Sequence, residues 1–254
     1  IKYSFHLHML TCSPTFFDYR NRCLESNVKE HFTIHGLWPS LATPGSKLEN
    51  CQMYEKFDIK ELAPLRADLE VAWPSFKTRN PVPFWVHEWK RHGTCGVSVP
   101  ALTGVFKFFN TTLELFKRFD PMAYLANDDI LPSTKIAYPV EDVQRALEND
   151  LHSKVKLVCD RASGLNEPVL TEVRICLDEP RFRPVDCPGK SERCGRGKMF
   201  FLPLRGDGRL PSGTTSAAPA TLSGNDRQLT VACCVVTSTF AISWLVKRVM
   251  RPRP

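Results

Sequence analysis

Cysteine content is the feature that most narrows how this chain of 254 residues can fold. The sequence holds ten cysteines and no C-x-x-C pair, and an N-x-T glycosylation sequon begins at Asn110. These features together indicate an oxidising compartment. We therefore expect a glycoprotein of the secretory pathway, found outside the cell, in the lysosomal or endosomal lumen, or at the cell surface.

Eight of the cysteines precede residue 200, and two lie in an apolar stretch near the end of the chain. The eight are Cys12, Cys23, Cys51, Cys95, Cys159, Cys176, Cys187 and Cys194. Eight cysteines allow about a hundred pairings, and their spacing alone does not choose among them. Cys233 and Cys234 fall in the apolar stretch, so we leave them out of the disulfide framework.

The composition changes after about residue 200. Residues 1–200 have the mixed composition of one globular domain that can bury a core. Residues 201–228 are rich in Gly, Ser, Thr, Pro and Ala, which predicts a flexible stalk. Residues 229–246 carry no charge and precede the basic stretch 247–254, which predicts a transmembrane segment with a cytoplasmic tail. A buried core helix and a lipid-anchor signal are the alternatives for residues 229–246.

The formal net charge of +7 is weak evidence for an anionic partner. Four of the positive charges belong to the tail, in Lys247, Arg248, Arg251 and Arg253. A nucleic-acid partner would therefore have to be recognised by a local cationic cleft rather than by bulk charge.

Apolar spacing predicts helices and strands in irregular order. One face of a helix is formed by Val105, Phe108, Phe109, Thr112, Leu113 and Phe116. Another helix is predicted over 139–151, and strands over 155–160 and 171–178. Because no regular βαβ alternation occurs, the sequence predicts an α+β fold.

Residues 84–95, FWVHEWKRHGTC, concentrate ionisable side chains. A helix, with about 100° per residue, would put four of them on one face. These are His87, Glu88, Arg91 and His92. Trp89 would then anchor the helix in the core, and Gly93 would end it. A solvated charged turn is the alternative. The histidines stand at i and i+5, not at the i and i+4 of the zinc helix H-E-x-x-H, so we expect no metal site.

A second chemical stretch, residues 32–40, reads FTIHGLWPS. It predicts a strand that ends at His35, where Gly36 turns the chain and Trp38 begins a rigid wall. A lone histidine at a strand end is more often structural than catalytic. Two histidines that reach one cleft from separate elements, however, are suited to metal-free cleavage of RNA, in which one removes a proton and the other donates one.

The two stretches together resemble the active-site segments H-G-L-W-P and H-E-W-x-K-H-G-T-C of the T2 ribonuclease family, in its animal branch. The resemblance covers about residues 5–194. It implies a central antiparallel sheet flanked by helices, and it implies cleavage of single-stranded RNA through a 2',3'-cyclic phosphate without metal or cofactor. The implied disulfides are Cys12–Cys23, Cys51–Cys95, Cys159–Cys194 and Cys176–Cys187.

The resemblance also implies roles for individual residues. His92 would be the general base and His35 the general acid. The transition state would be stabilised by Glu88 and Arg91, the phosphate held by His87, and bases stacked on Trp38 and Phe84.

The first strand departs from the family pattern, with HLHMLTCSP where the family usually carries a Trp-Pro pair before its first cysteine, and so do two single positions. The family has lysine where this chain has Arg91, and it often has aspartate where this chain has Ser40. A planar guanidinium replaces a point charge at the first position, and base preference is left open by the second. We expect a monomeric ribonuclease. The alternative is a glycoprotein of the same fold that binds a receptor or RNA with poor catalysis.

Overall fold

The computed structural model describes residues 3–10, 29–41, 48–51 and 56–203, where seven strands and five α-helices occur. The strands are β1 (Tyr3–Leu10), β2 (Thr33–Leu41), β3 (Ala137–Pro139), β4 (Lys156–Asp160), β5 (Val169–Asp178), β6 (Pro184–Val185) and β7 (Lys198–Phe200). The helices are α1 (Arg66–Ala72), α2 (Val82–Arg91), α3 (Val105–Arg118), α4 (Pro121–Asn127) and α5 (Val140–Leu151). Short 3-10 segments occur at Ile59–Leu65, Gly93–Cys95 and Pro100–Leu102.

Strand β5 is the centre of the sheet. The strand order is β2-β1-β5-β7-β3, and β4 and β6 also pair with β5. The pairs are antiparallel, except that β5 and β7 run parallel. The predicted α+β fold around a central sheet is confirmed, with one difference: the sheet is mixed rather than wholly antiparallel.

Aromatic side chains hold α2 and α3 together. Phe108 and Phe109 lie on the buried face of α3, as the apolar spacing predicts. Trp89 of α2 is fully buried, and its ring meets that of Phe108 edge-on at a centroid distance of 5.6 Å. A Cβ at Gly93 would lie 2.4 Å from Trp89 Cε3, so this close approach at the end of the helix requires glycine. The sequence predictions for α2 are confirmed: the segment is helical, Trp89 anchors it in the core, and the helix ends just before Gly93.

Three disulfides staple the described part of the chain: Cys51–Cys95, Cys159–Cys194 and Cys176–Cys187. They are pairings that the family resemblance implies. The remaining implied pair, Cys12–Cys23, lies outside the described residues. The second bridge ties β4 to the segment that leads into β7, and the third ties β5 to the segment after β6.

Two sequence predictions concern the surface and the C-terminal region. Asn110 lies on α3, where its side-chain amide donates to Glu114 at 2.8 Å, and its glycosylation stays a prediction. Across the described ranges, every helix is too short or too polar to cross a bilayer. The predicted transmembrane segment at 229–246, the tail at 247–254 and nearly all of the stalk lie outside those ranges.

Candidate active site

A bulge in β2 sets the position of His35. Met9 pairs with Ile34 and His8 pairs with Gly36, so His35 is the extra residue of the bulge between these two pairs. A bulge bends its strand and redirects a side chain. The predictions that the strand ends at His35 and that Gly36 turns the chain are therefore wrong, because β2 continues past both residues.

The bulged residue is fixed through its backbone. Trp73 donates from its indole Nε1 to the carbonyl oxygen of His35 at 3.0 Å. Trp73 is itself fully buried and packs against Phe109 at a centroid distance of 4.9 Å. The position of His35 thus depends on the aromatic core as well as on the sheet.

One indole brings the two predicted catalytic histidines together. The ring of His92 stacks on Trp38 with a centroid distance of 4.3 Å and an interplanar angle of 12°. The ring of His35 meets the same indole edge-on at 5.0 Å. His92 follows the last residue of α2 and is 2% exposed, whereas the side chain of His35 is 27% exposed. Side chains far apart in the sequence therefore share one site.

Glu88 lies at the N–H edge of this indole and is 1% exposed. Trp38 donates from Nε1 to Glu88 Oε2 at 3.0 Å. Burial raises the pKa of Glu88 from 4.5 to about 7, although the charge of His35, the hydrogen bond from Trp38 and the charge of Arg91 oppose the rise. This carboxyl therefore changes charge in the neutral to mildly acidic range.

The glycine of the H-G-L-W-P stretch makes room for this arrangement. A Cβ at Gly36 would lie 2.2 Å from Glu88 Oε2 and 2.5 Å from Trp38 Nε1. Such distances are far shorter than a van der Waals contact, so any side chain here would displace the hydrogen bond between the two groups. The close approach, and not a turn, explains why this position is glycine.

The remaining ionisable residues of α2 lie further out. His87 is exposed. Arg91 is half-buried, and its Nη2 donates to Glu49 Oε2 at 2.8 Å. The helical face predicted for four side chains thus divides into a buried pair, Glu88 and His92, and an outer pair. The members of each pair are four residues apart, about 40° around a helix, whereas the two pairs are offset by about 100°.

Phe84, predicted to bind a base, is half-buried in the first half of α2. Its ring lies 6.0 Å from that of His35 with an interplanar angle of 32°. An aromatic surface therefore extends from Trp38 past His35 to Phe84. Ser40, where the family often has aspartate, lies further along β2 and is half-buried.

Sequence reasoning missed two charged residues of β5. Glu172 is 5% exposed, and its Oε2 lies 3.0 Å from His35 Nδ1. Arg174, two residues further along the strand, donates from Nε to the other oxygen of Glu172. The sequence signal that could have identified Glu172 is its place in a strand of otherwise buried residues, because an ionised group there needs a charged partner.

The described ranges contain no group of three or more His, Cys, Asp and Glu side chains arranged to hold a metal ion. His87 and His92, weighed above as zinc ligands, differ in burial: the first is exposed and the second is buried.

Comparison with known proteins places this geometry in a family. The chain matches the model of the ribonuclease T2 family over residues 3–187. It is 34% identical over 176 residues to ribonuclease Oy of Magallana gigas, and this alignment covers 67% of this chain and 82% of that protein.

Solved structures agree with the sequence match. Human RNase T2 aligns with a TM-score of 0.66 and 27% sequence identity, covering 80% of this chain and 99% of that chain. A mutant of RNase MC1 in complex with 5'-GMP aligns with a TM-score of 0.67 and 26% identity, covering 80% and 100%. The chain therefore belongs to the ribonuclease T2 family, and its activity is that of a T2-type endoribonuclease.

Proposed function

We propose that this protein cleaves single-stranded RNA by acid-base transesterification between two histidines, without a metal ion. The observation that carries the proposal is the contact of His35 and His92 with one indole, that of Trp38. His92 removes the proton from a ribose 2'-hydroxyl, whose oxygen then attacks the adjacent phosphorus. The bond from phosphorus to the 5'-oxygen breaks, and His35 donates a proton to that oxygen. The products are a 2',3'-cyclic phosphate and a free 5'-hydroxyl.

Glu88 supports the developing charge on the phosphate in its neutral form. Its pKa of about 7 leaves a large fraction protonated at mildly acidic pH. A protonated carboxyl can donate to a phosphate oxygen, whereas a carboxylate would repel it. Arg91, further out on α2, adds positive charge for the approaching backbone, and the exposed His87 offers its ring to hold the phosphate. These features suit an enzyme of the lysosomal or endosomal lumen.

Trp38 and Phe84 provide aromatic surface for bases on either side of the scissile bond. Stacking of this kind needs unpaired bases, so single-stranded RNA is the substrate. The complex of an RNase MC1 mutant with 5'-GMP supports nucleotide binding by this fold. DNA should survive because it lacks the 2'-hydroxyl nucleophile.

The test is to incubate the purified chain with single-stranded RNA in the presence of chelator at mildly acidic pH. The 3' ends of the RNA products are identified by mass spectrometry, and the variants His35→Ala and His92→Ala are assayed in the same way. Cyclic-phosphate ends are expected for the wild type and should be lost in both variants. His152→Asn is the matched control, since this histidine is exposed and lies after α5. Binding without cleavage would favour a non-catalytic glycoprotein, and loss of cleavage in chelator would implicate a metal.

We also propose that the chain is tethered to a membrane through residues 229–246. The support is their uncharged composition and the basic stretch that follows. Carbonate extraction of membranes followed by blotting tests this proposal. The protein should stay in the membrane pellet, and its release into the soluble fraction would contradict a transmembrane anchor.

A further inference from the structure

A chain of charged groups leads from His35 across the sheet. Strand β1 lies between β2 and β5, so the side chains of His35 and Glu172 meet across two strand spacings, about 10 Å. Their contact is a 3.0 Å hydrogen bond from His35 Nδ1 to Glu172 Oε2. An ionised carboxylate only accepts hydrogen bonds, so Nδ1 carries the proton in this contact, and the proton that the general acid transfers is carried by the other ring nitrogen, Nε2.

The other oxygen of Glu172 faces Arg174. Both residues lie on the same face of β5, because they are two positions apart on a strand. Arg174 donates from Nε to Glu172 Oε1 and from Nη1 to Glu192 Oε1, the latter at 2.6 Å. Lys156 Nζ lies 3.3 Å from the same Glu192 oxygen. Acidic and basic groups thus alternate from the histidine to the edge of the site.

The outer carboxylate is firmly held. Burial alone would raise the pKa of Glu192, but the charge of Arg174 and the hydrogen bonds from Lys156 and Arg174 outweigh it and lower the pKa. The backbone of Glu192 bonds to β4 in both directions: its N–H donates to Leu157 at 2.8 Å, and its oxygen accepts from Cys159 at 3.0 Å. The Cys159–Cys194 disulfide closes the same segment onto β4.

We propose that Glu172, held by Arg174 and Glu192, is a positioning residue for the general acid His35. It fixes the ring so that Nε2 points at the leaving 5'-oxygen, and its charge stabilises the protonated ring until the proton is transferred. Glu88, on α2, is the other carboxyl whose charge acts on this pair. The inference rests on the proposed roles of the two histidines.

An ion pair that only stabilises the sheet would not need this placement. Asp178 and Arg183 form such a pair near the end of the same strand at 2.7 Å, and the arginine side chain is largely exposed. Glu172 is buried instead, where a carboxylate loses its hydration even when it is paired. The structure therefore places a carboxylate whose burial costs stability in direct contact with His35, the histidine that has to lose a proton in the proposed reaction.

The test is Glu172→Gln in the full-length protein. Because Arg174 donates to one oxygen, the new amide directs its oxygen to Arg174 and its NH2 group to His35 Nδ1. The protonated ring then faces a donor. Two substrates with the same ribonucleoside separate the effects. A dinucleotide has a poor alkoxide leaving group that needs the acid, whereas a 3'-(4-nitrophenyl phosphate) ester releases a stable phenolate that does not.

We expect Glu172→Gln to lower kcat on the dinucleotide by about 10- to 100-fold with little change in KM, and to leave the aryl ester nearly unaffected. His35→Ala should show the same selectivity, and His92→Ala should lose both reactions. The matched control Asp178→Asn should change neither. Equal slowing of both substrates by Glu172→Gln, or no slowing at all, would overturn the inference.

Two further measurements keep the inference separate from folding and from the proposed function. Nitrogen NMR of the His35 ring should place the neutral proton on Nδ1 in the wild type and on Nε2 in Glu172→Gln. If the tautomer is the same in both proteins, the positioning role is overturned, whatever the activity. If the wild type cleaves neither substrate, only the proposed function is refuted. If Glu172→Gln does not fold, the half-exposed Glu192→Gln should give a smaller loss with the same selectivity, and an equal loss on both substrates overturns the role.

Discussion

The substitution Glu88→Gln should remove a large part of the pH dependence of stability. Glu88 is buried where it accepts a hydrogen bond from Trp38, and its pKa is raised from 4.5 to about 7. Glutamine has nearly the same shape, can still accept the hydrogen bond from Trp38, and does not titrate. Comparison of the two proteins therefore isolates the ionisation of one carboxyl.

The sign follows from which state binds the proton. Below about pH 4.5 the carboxyl is protonated in both the folded and the unfolded chain, and its contribution to stability is fully present. As the pH rises, the unfolded chain ionises first, so the free energy of unfolding falls until the folded carboxyl ionises near pH 7. A rise from 4.5 to about 7 corresponds to a loss of about 3 kcal/mol across this window.

The assay is urea unfolding, followed by tryptophan fluorescence, at several pH values through the window. Relative to Glu88→Gln, the wild type should become about 3 kcal/mol less stable as the pH rises. The exposed Glu141→Gln serves as the control, and its difference from the wild type should stay constant. The same constancy in Glu88→Gln would refute the conclusion that burial controls this carboxyl.

Three further outcomes are expected. Gly36→Ala should cost about 2–4 kcal/mol in urea unfolding, because a Cβ would lie 2.2 Å from a buried carboxyl oxygen. Gly197→Ala, where a Cβ meets nothing within 4 Å, should be near neutral, and equal effects would contradict the steric account. Arg91→Gln should move the upper end of the pH window described above to higher pH, because this charge lowers the pKa of the buried carboxyl in the folded chain only; an unmoved upper end would contradict that coupling. Replacing Cys159 and Cys194 by serine should lower the free energy of unfolding by about 4 kcal/mol for a sequence separation of 35, and an unchanged urea midpoint would contradict it.

The elements that repeat a local pattern could be predicted from the sequence. The apolar face of α3 and the strand β4 follow from side-chain periodicity, which needs no knowledge of the rest of the chain. The prediction that Trp38, Glu88 and His92 belong to one site depended on motif resemblance, because both stretches resemble active-site segments of the same family. The pairings of the three described disulfides were likewise implied by the family resemblance, since cysteine spacing did not choose among them.

Features that depend on distant neighbours could not be predicted. The bulge at His35 exists because of its pairing with β1, and the local alternation looks like an ordinary strand end. The partner of Arg91 is Glu49, which is distant in sequence. Glu172 lies 137 positions from the histidine that it contacts, and no periodicity links the two.

The bulge has a consequence for how such a protein can change over time. Because His35 is an insertion in the ladder, its ring is not one of the alternating side chains that build the sheet. Trp73 holds only its backbone oxygen, which any amino acid supplies. Under the proposed role of His35 as general acid, a single codon change at this position therefore abolishes turnover while the surrounding architecture survives, which gives descendants of an enzyme a short route to roles that depend only on shape and surface.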